Sequence, residues 1–243
     1  MTVRDRSPKR HRTGSRGVPR AVREPLILDV AGRVFASRGY HAASMDEIAA
    51  EADVTKPLIY AYFGSKEGLY IAYIERSGRE LLERMRTATQ PTAPPRERLQ
   101  TGILEFFRFV GERRDGWQVL YSEAASRGGP LAEEVATLRA AIARMITRLL
   151  METIPDLRAS DETTAALDAV AHAIVGAGES LANRSLAHPE LPPERAAQLL
   201  VAIGQTGVEQ TVAALDSRPA GSASLPSSPS MSASSATTAG SGR

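Results

Sequence analysis

The chain has no cysteine among its 243 residues, which excludes disulfides and thiolate chemistry. It has no apolar run near the roughly 20 residues that a membrane-spanning helix needs, so no membrane partner is expected. The N-terminus is basic but lacks the apolar stretch of a signal peptide, and the expected location is the cytoplasm. The four histidines, His11, His41, His172 and His188, are scattered. No metal-ligand cluster, nucleophile elbow or phosphate loop accompanies them, so no metal or cofactor is expected and nothing points to an enzyme. Gly176-Ala177-Gly178 looks like the start of a dinucleotide fingerprint, but no strand precedes it and no third glycine follows at the required place. No convincing strand and no internal repeat occur.

What is present begins with charge. The net charge is only +2, yet Arg4, Arg6, Lys9, Arg10, Arg12, Arg16, Arg20 and Arg23 crowd the first segment, with Asp5 as the only acid before Glu24. Such an arm attracts polyanions, most often nucleic acid. Residues 1–22 carry Pro, Gly, Ser and charge without periodicity and read as a disordered arm. Residues 216–243 are Ser, Ala, Gly, Thr and Pro with almost no large apolar side chain. That tail cannot bury enough surface to offset its chain entropy.

Between arm and tail the pattern is helix after helix. Leu26, Ile27, Val30, Ala31, Val34 and Phe35 recur at one-face helical spacing. Pro25 suits a first helical turn and Gly39 suits an end. Leu99, Ile103, Phe106, Phe107 and Val110 make another face, and Val135, Leu138, Ile142, Met145, Ile146 and Leu149 a longer one. Two more helices are expected over 160–184 and 193–215, the first opened by Ser160, Asp161 and Glu162. The expected fold is all-α.

The most informative stretch is GYHAASMDEIAAEADVTKPLIYAYFGSKEGL, residues 39–69. Ser44 can cap a short helix bearing Met45, Ile48, Ala49 and Ala52, and Glu47 completes a capping-box pattern. Asp53-Val54 make a turn, and Thr55 opens a second short helix through Tyr62. Two short helices about a tight turn, with alanines where the backbones meet, are what a helix-turn-helix requires.

The run IAAEADVTKPLIYAYFGSKEGLY resembles the DNA-binding signature of the TetR/AcrR family: an Ile-Ala pair, a turn, Val-Ser/Thr, a Tyr, an aromatic-Phe pair and Lys-Glu-x-Leu. The likeness covers about residues 26–70, with two departures. Asp53 stands where the family usually has Gly, at a position expected to need a left-handed backbone, which Asp tolerates. Tyr62 stands where the family often has His. The resemblance implies a three-helix DNA-binding domain over 23–68 and a helical ligand-binding and dimerisation domain over 69–215. It further implies that Ser44 contacts a phosphate and that Thr55, Lys56 and Pro57 begin the recognition helix. Lys56 would then meet guanine O6 and N7, and Pro57 a thymine methyl. Tyr60, Tyr62 and Lys66 would grip the DNA backbone, while Phe63 and Leu69 belong to the core.

For the body, the resemblance implies a homodimer and a largely apolar small-molecule effector held among the middle helices. Phe106, Phe107, Trp117, Tyr121, Met145 and His172 are the candidate lining, with Met151 beside them. Glu179 and Asn183 join Tyr121 and His172 as candidate polar groups, and His172 and Glu179, seven residues apart, would share a face. Small residues at Gly176, Gly178, Ala202, Gly204 and Gly207 suit the close helix approach of a dimer interface. Core packing is the plain alternative for each aromatic residue.

The functional expectation is a dimeric, ligand-responsive repressor binding a palindromic double-stranded DNA operator. Two other classes remain, an enzyme and a protein that keeps the fold but acts through protein partners. From Glu24 to Lys66 the acids Glu24, Asp29, Asp46, Glu47, Glu51 and Asp53 outnumber the bases Arg33, Arg38, Lys56 and Lys66. The motif is thus a weak attractor of polyanions, and the arginine arm is expected to supply much of the affinity, lying along the adjacent minor groove. Deleting residues 1–20 is therefore expected to weaken DNA binding and flatten its salt dependence. Unchanged affinity and slope in a titration would reduce the arm to a solvated tail.

Overall fold

The computed structural model describes residues 19–122, 130–153 and 160–216. Most of the basic arm and the low-complexity tail after Asp216 lie outside them. The described residues form helices α1 (Arg20–Ala42), α2 (Met45–Glu51), α3 (Lys56–Phe63), α4 (Lys66–Ala88), α5 (Pro95–Glu112), α6 (Arg114–Ser122), α7 (Pro130–Thr153), α8 (Asp161–Ala187) and α9 (Pro193–Asp216), with no strand. The chain is all-α, as its periodicity requires.

Helix α1 starts earlier than Pro25. Pro19 precedes its first turn and accepts the Val22 and Arg23 N–H groups at 3.1 and 3.2 Å. Pro25 lies inside the helix. It interrupts one ladder bond near the start, and its own carbonyl accepts from Arg76 Nη1 at 2.8 Å. Gly39, at φ 73°, kinks the helix before a final turn to Ala42.

The helices enclose two apolar cores. The first gathers Ile27, Val34 and Phe35 of α1, Ile48 of α2, Ile59 of α3 and Leu69, Tyr70 and Ile74 of α4. The second joins Leu81 and Met85 of α4 to Phe106, Ile146, Leu167 and Leu200 of the body. Helix α4 therefore belongs to both. Val119 of α6 and Val135 of α7 also sit in the first core, so the body reaches into the helix-turn-helix unit. Close approach is built in at Gly32, where a Cβ would lie 2.3 Å from the Tyr73 ring.

The α3–α4 junction is equally tight. Gly64 takes φ 75° at the end of α3. Ser65 then caps α4 by accepting the Gly68 N–H at 2.9 Å. A Cβ on Gly68 would sit 2.1 Å from the Phe63 carbonyl oxygen. A backbone atom cannot yield as a side-chain tip does, so Gly68→Ala should cost about 1–3 kcal/mol. Urea unfolding measures the loss, and an unchanged midpoint would show that the junction relaxes.

Candidate nucleic-acid interface and effector cavity

The helix-turn-helix depends on a sharp turn. Asp53 has φ 51°, the only positive φ at a non-glycine among the described residues, which meets the expectation from its replacement of glycine. The Val54 N–H then donates to the Ala49 carbonyl at 3.0 Å. Ile48, Ala49 and Ile59 are buried between the helices. Ser44 caps α2 by accepting the Asp46 N–H at 3.2 Å. Glu47 does not close a reciprocal box but pairs with Arg38 Nη2 at 3.3 Å.

The seven expected DNA contacts divide by what they already touch. Thr55 has N-cap backbone geometry but its hydroxyl makes no capping bond. Thr55, Pro57 and Tyr60 are exposed along one edge of α3, with Tyr60 at 41%. Lys56 donates to Asp46 Oδ2 at 2.9 Å, and this hydrogen bond and negative charge hold its ammonium above its ordinary pKa. Tyr62 and Lys66 instead fasten α3 and α4 to the two ends of α1. The Arg20 guanidinium lies 4.8 Å from the Tyr62 ring centre, and its Nη2 donates to the Tyr62 carbonyl at 3.2 Å. Lys66 Nζ donates to the His41 carbonyl at 3.0 Å and stands 4.8 Å from the Tyr40 ring centre. Sequence reading passed over Asp46 as a neighbour of Lys56 and Arg20 as a clamp on Tyr62, because neither contact follows a local spacing.

The body holds a narrow, partly open and almost wholly apolar cavity of about 50 Å³. Phe106, Trp117, Tyr121 and Glu179 line it together with Leu81, Arg139, Ile142, Ile146, Ile174 and Leu200. Phe106 and Trp117 pack edge to face with ring centres 5.5 Å apart, and Trp117 stacks on Tyr121 at 5.9 Å. Asn183 lies behind this wall and accepts from Trp117 Nε1 at 2.8 Å. The other three expected lining residues lie elsewhere. Phe107 is buried on another side of α5, against a recess it shares with Pro189 and Pro193. Met145 turns its sulfur to the Thr89 hydroxyl at 3.8 Å. His172 is 53% exposed and its Nδ1 lies 2.9 Å from the Asp168 carbonyl. Met151 packs at the edge of the body core.

One ion pair closes the cavity's polar corner. Arg139 Nε and Nη2 reach the two carboxylate oxygens of Glu179 at 2.7 and 3.0 Å, a bidentate geometry that fixes both side chains. Among the described residues no group of His, Asp and Glu could hold a metal, and no helix is long and apolar enough to cross a membrane.

Helix α6 stands between cavity and DNA-binding unit. Trp117 and Tyr121 face the cavity, while the buried Tyr70 hydroxyl donates to the Val119 carbonyl at 2.9 Å. A Cβ on Gly116 would lie 3.0 Å from the Tyr73 hydroxyl, so α6 packs directly onto α4. Burial pushes the Tyr73 phenol above its ordinary pKa. Two ion pairs tie α4 to its neighbours from outside: Arg76 to Asp29 of α1, and Arg113, between α5 and α6, to Glu80 of α4 at 2.8 Å.

A helix-turn-helix on a three-helix unit, followed by a helical body, is the architecture of a DNA-binding transcriptional regulator. Residues 27–73 match the family described as bacterial regulatory proteins, tetR family, and residues 95–206 match the tetracyclin repressor-like C-terminal domain. The HTH-type transcriptional regulator BetI of Rhizobium meliloti (strain 1021) is 35% identical over 162 residues, covering 64% of this chain and 75% of that protein. The HTH-type transcriptional activator FasR of Mycolicibacterium smegmatis is 38% identical over 123 residues, covering 49% of this chain and 56% of that relative's length. A TetR-like transcriptional regulator from Rhodococcus sp. RHA1 superposes with a TM-score of 0.66 at 37% identity, over 79% of this chain and 98% of that one. The chain belongs to the TetR family of transcriptional regulators.

The Arg139–Glu179 pair yields a stability test. Arg139→Ala leaves the Glu179 carboxylate, only 18% exposed, without its partner. The expected cost is about 1–2 kcal/mol, below that of breaking a fully buried pair, because Arg139 is more than a third exposed. Replacing both residues, Arg139→Met with Glu179→Leu, should recover most of the loss. Denaturant midpoints of the three proteins settle this, and a double variant no better than Arg139→Ala would contradict the burial argument.

Proposed function

We propose that this protein is a ligand-responsive repressor that binds a palindromic operator as a homodimer in the cytoplasm. The observation that carries this reading is α6, whose residues line the cavity on one side and pack into the DNA-binding core on the other. The cavity, about 50 Å³, is far below the roughly 300–1,000 Å³ of ordinary small-molecule sites. An effector enters only if the helices part, and displacement of Trp117 and Tyr121 drags α6 against Tyr70 and Tyr73. Binding energy is thereby spent on a conformation that repositions α1 and α4, so the effector favours the non-binding state by differential affinity. The cavity lining favours a largely apolar effector with one polar group directed at Arg139 or Glu179.

The dimer rests on α8 and α9. A Cβ on Gly176 or Gly207 would meet nothing within 4 Å, and Ile203 is 57% exposed. Small residues with open space above them, beside an exposed isoleucine, suit a second copy of the same helices. Two recognition helices would then lie about one DNA turn apart, roughly 34–36 Å. A second sign of regulation, activation, is favoured by one specific observation: the FasR relative is described as an activator.

The experiment is to sequence the genomic DNA fragments that the purified protein retains at near-physiological salt. Enrichment of one palindromic motif is the expected outcome. Retention without a motif would leave charge-driven binding alone. No retention by verified folded protein would replace this reading with one of protein partners.

A further inference from the structure

The geometry points to Asp46 as a specificity-determining residue of DNA recognition: by holding Lys56 in an ion pair, we propose, it withholds that lysine from the phosphates of random DNA and aims it at a base edge. This rests on the DNA-binding reading and extends it to a carboxylate on the DNA-facing side of the motif.

Asp46 occupies the first turn of α2, two residues after the Ser44 cap, and its side chain is 72% exposed. Lys56 is the first residue of α3, the only cation within that helix, and its side chain is 42% exposed. Their charged atoms stand 2.9 Å apart. A pair this exposed adds little to folding stability. Its consequence is electrostatic and geometric. An ammonium carries three donors; one is spent on Asp46, and the other two remain for guanine O6 and N7. A lysine free of such a tether would swing to the nearest phosphate, which is present at every sequence and carries no information. With the lysine so tethered, the protein loses affinity for random DNA and keeps it where a base acceptor completes the lysine's shell. Discrimination of this kind comes from weakening the wrong complex as well as from strengthening the right one.

The arrangement also accounts for the acidity of the motif. Glu47 holds Arg38 as Asp46 holds Lys56, and Lys66 is turned inward onto the His41 carbonyl. Glu51 makes no such pair in the described structure and supplies the comparison: its charge can be removed without releasing a cation.

The test measures binding of the full chain to two duplexes across a salt series, one carrying the motif that the wild-type protein selects from random-sequence DNA and one with that motif shuffled. Helicity and oligomeric state of each variant are checked first. Asp46→Asn should bind the shuffled duplex about five- to tenfold more tightly, with a log–log salt slope steeper by about 0.9, the signature of one new phosphate contact. Its preference for the selected duplex should fall by a similar factor. Adding Lys56→Ala to Asp46→Asn should abolish the gain on shuffled DNA, and Glu51→Gln alone should leave the slope unchanged. The proposal is overturned if Asp46→Asn leaves the shuffled duplex unaffected. It is equally overturned if the gain survives in the double variant, or if Glu51→Gln reproduces it, because the carboxylate would then act by charge alone. Failure of the wild-type protein to select any motif would instead remove the DNA-recognition reading, an outcome visible before any variant is made.

Discussion

The structure depends on the contact between α4 and α6. One buried hydrogen bond, from the Tyr70 hydroxyl to the Val119 carbonyl at 2.9 Å, joins a helix of the DNA-binding unit to a helix of the body. Gly116 permits the approach, since any side chain there would press on Tyr73. A buried donor that loses its acceptor costs far more than an exposed one, so the two helices move together or the junction is damaged. The proposed link between effector and operator follows from that rigidity. Trp117 and Tyr121 stand on the same short helix as Val119, each separated from it by a single residue.

Around this junction the charged residues serve as ties. Arg76 holds α1 through the Pro25 carbonyl and Asp29. Arg20 and Lys66 hold the two ends of α1 to Tyr62 and to the first turn of α4 respectively. The DNA-binding unit thus uses several of its cations internally, which leaves α3 to present Thr55, Pro57 and Tyr60 with Lys56 under the control of Asp46. On the proposed reading, a motif arranged in this way would read bases more than it attracts phosphate, and electrostatic attraction would fall to the arginines that precede α1.

The helix-turn-helix was legible because its signals are local. The Ser44 cap, the extended N-cap backbone at Thr55, alanines at the crossing and an Asp able to take a positive φ all lie within a few residues of what they act on. The long body helices were legible from periodicity for the same reason. Helix α6 was not: nine residues with Gly116 in the first turn give too short a pattern, and the reason for that glycine is Tyr73, 43 positions earlier in the sequence. The cavity was half legible. Aromatic residues on middle helices pointed to Phe106, Trp117 and Tyr121, but periodicity cannot say which apolar face meets a void and which meets another helix. Phe107 and Met145 therefore fell on the packed side. His172 and Glu179 do share a helical spacing, yet Arg139 of α7 stands over Glu179 while His172 is left exposed beside Asp168.

The central claim is that the DNA-binding unit and the cavity wall are mechanically one body through α6, and hydrogen exchange tests it without knowledge of the effector. Backbone amides of α6 are followed with and without a saturating selected DNA duplex. The account expects slower exchange across Arg114–Ser122, together with α1 and α4, although α6 touches no DNA, because a ligand that favours one state of a coupled pair stabilises both members. Protection confined to α1, α2, α3 and the first turns of α4, with α6 unchanged, would contradict it and leave the cavity and the DNA surface as independent features of one chain.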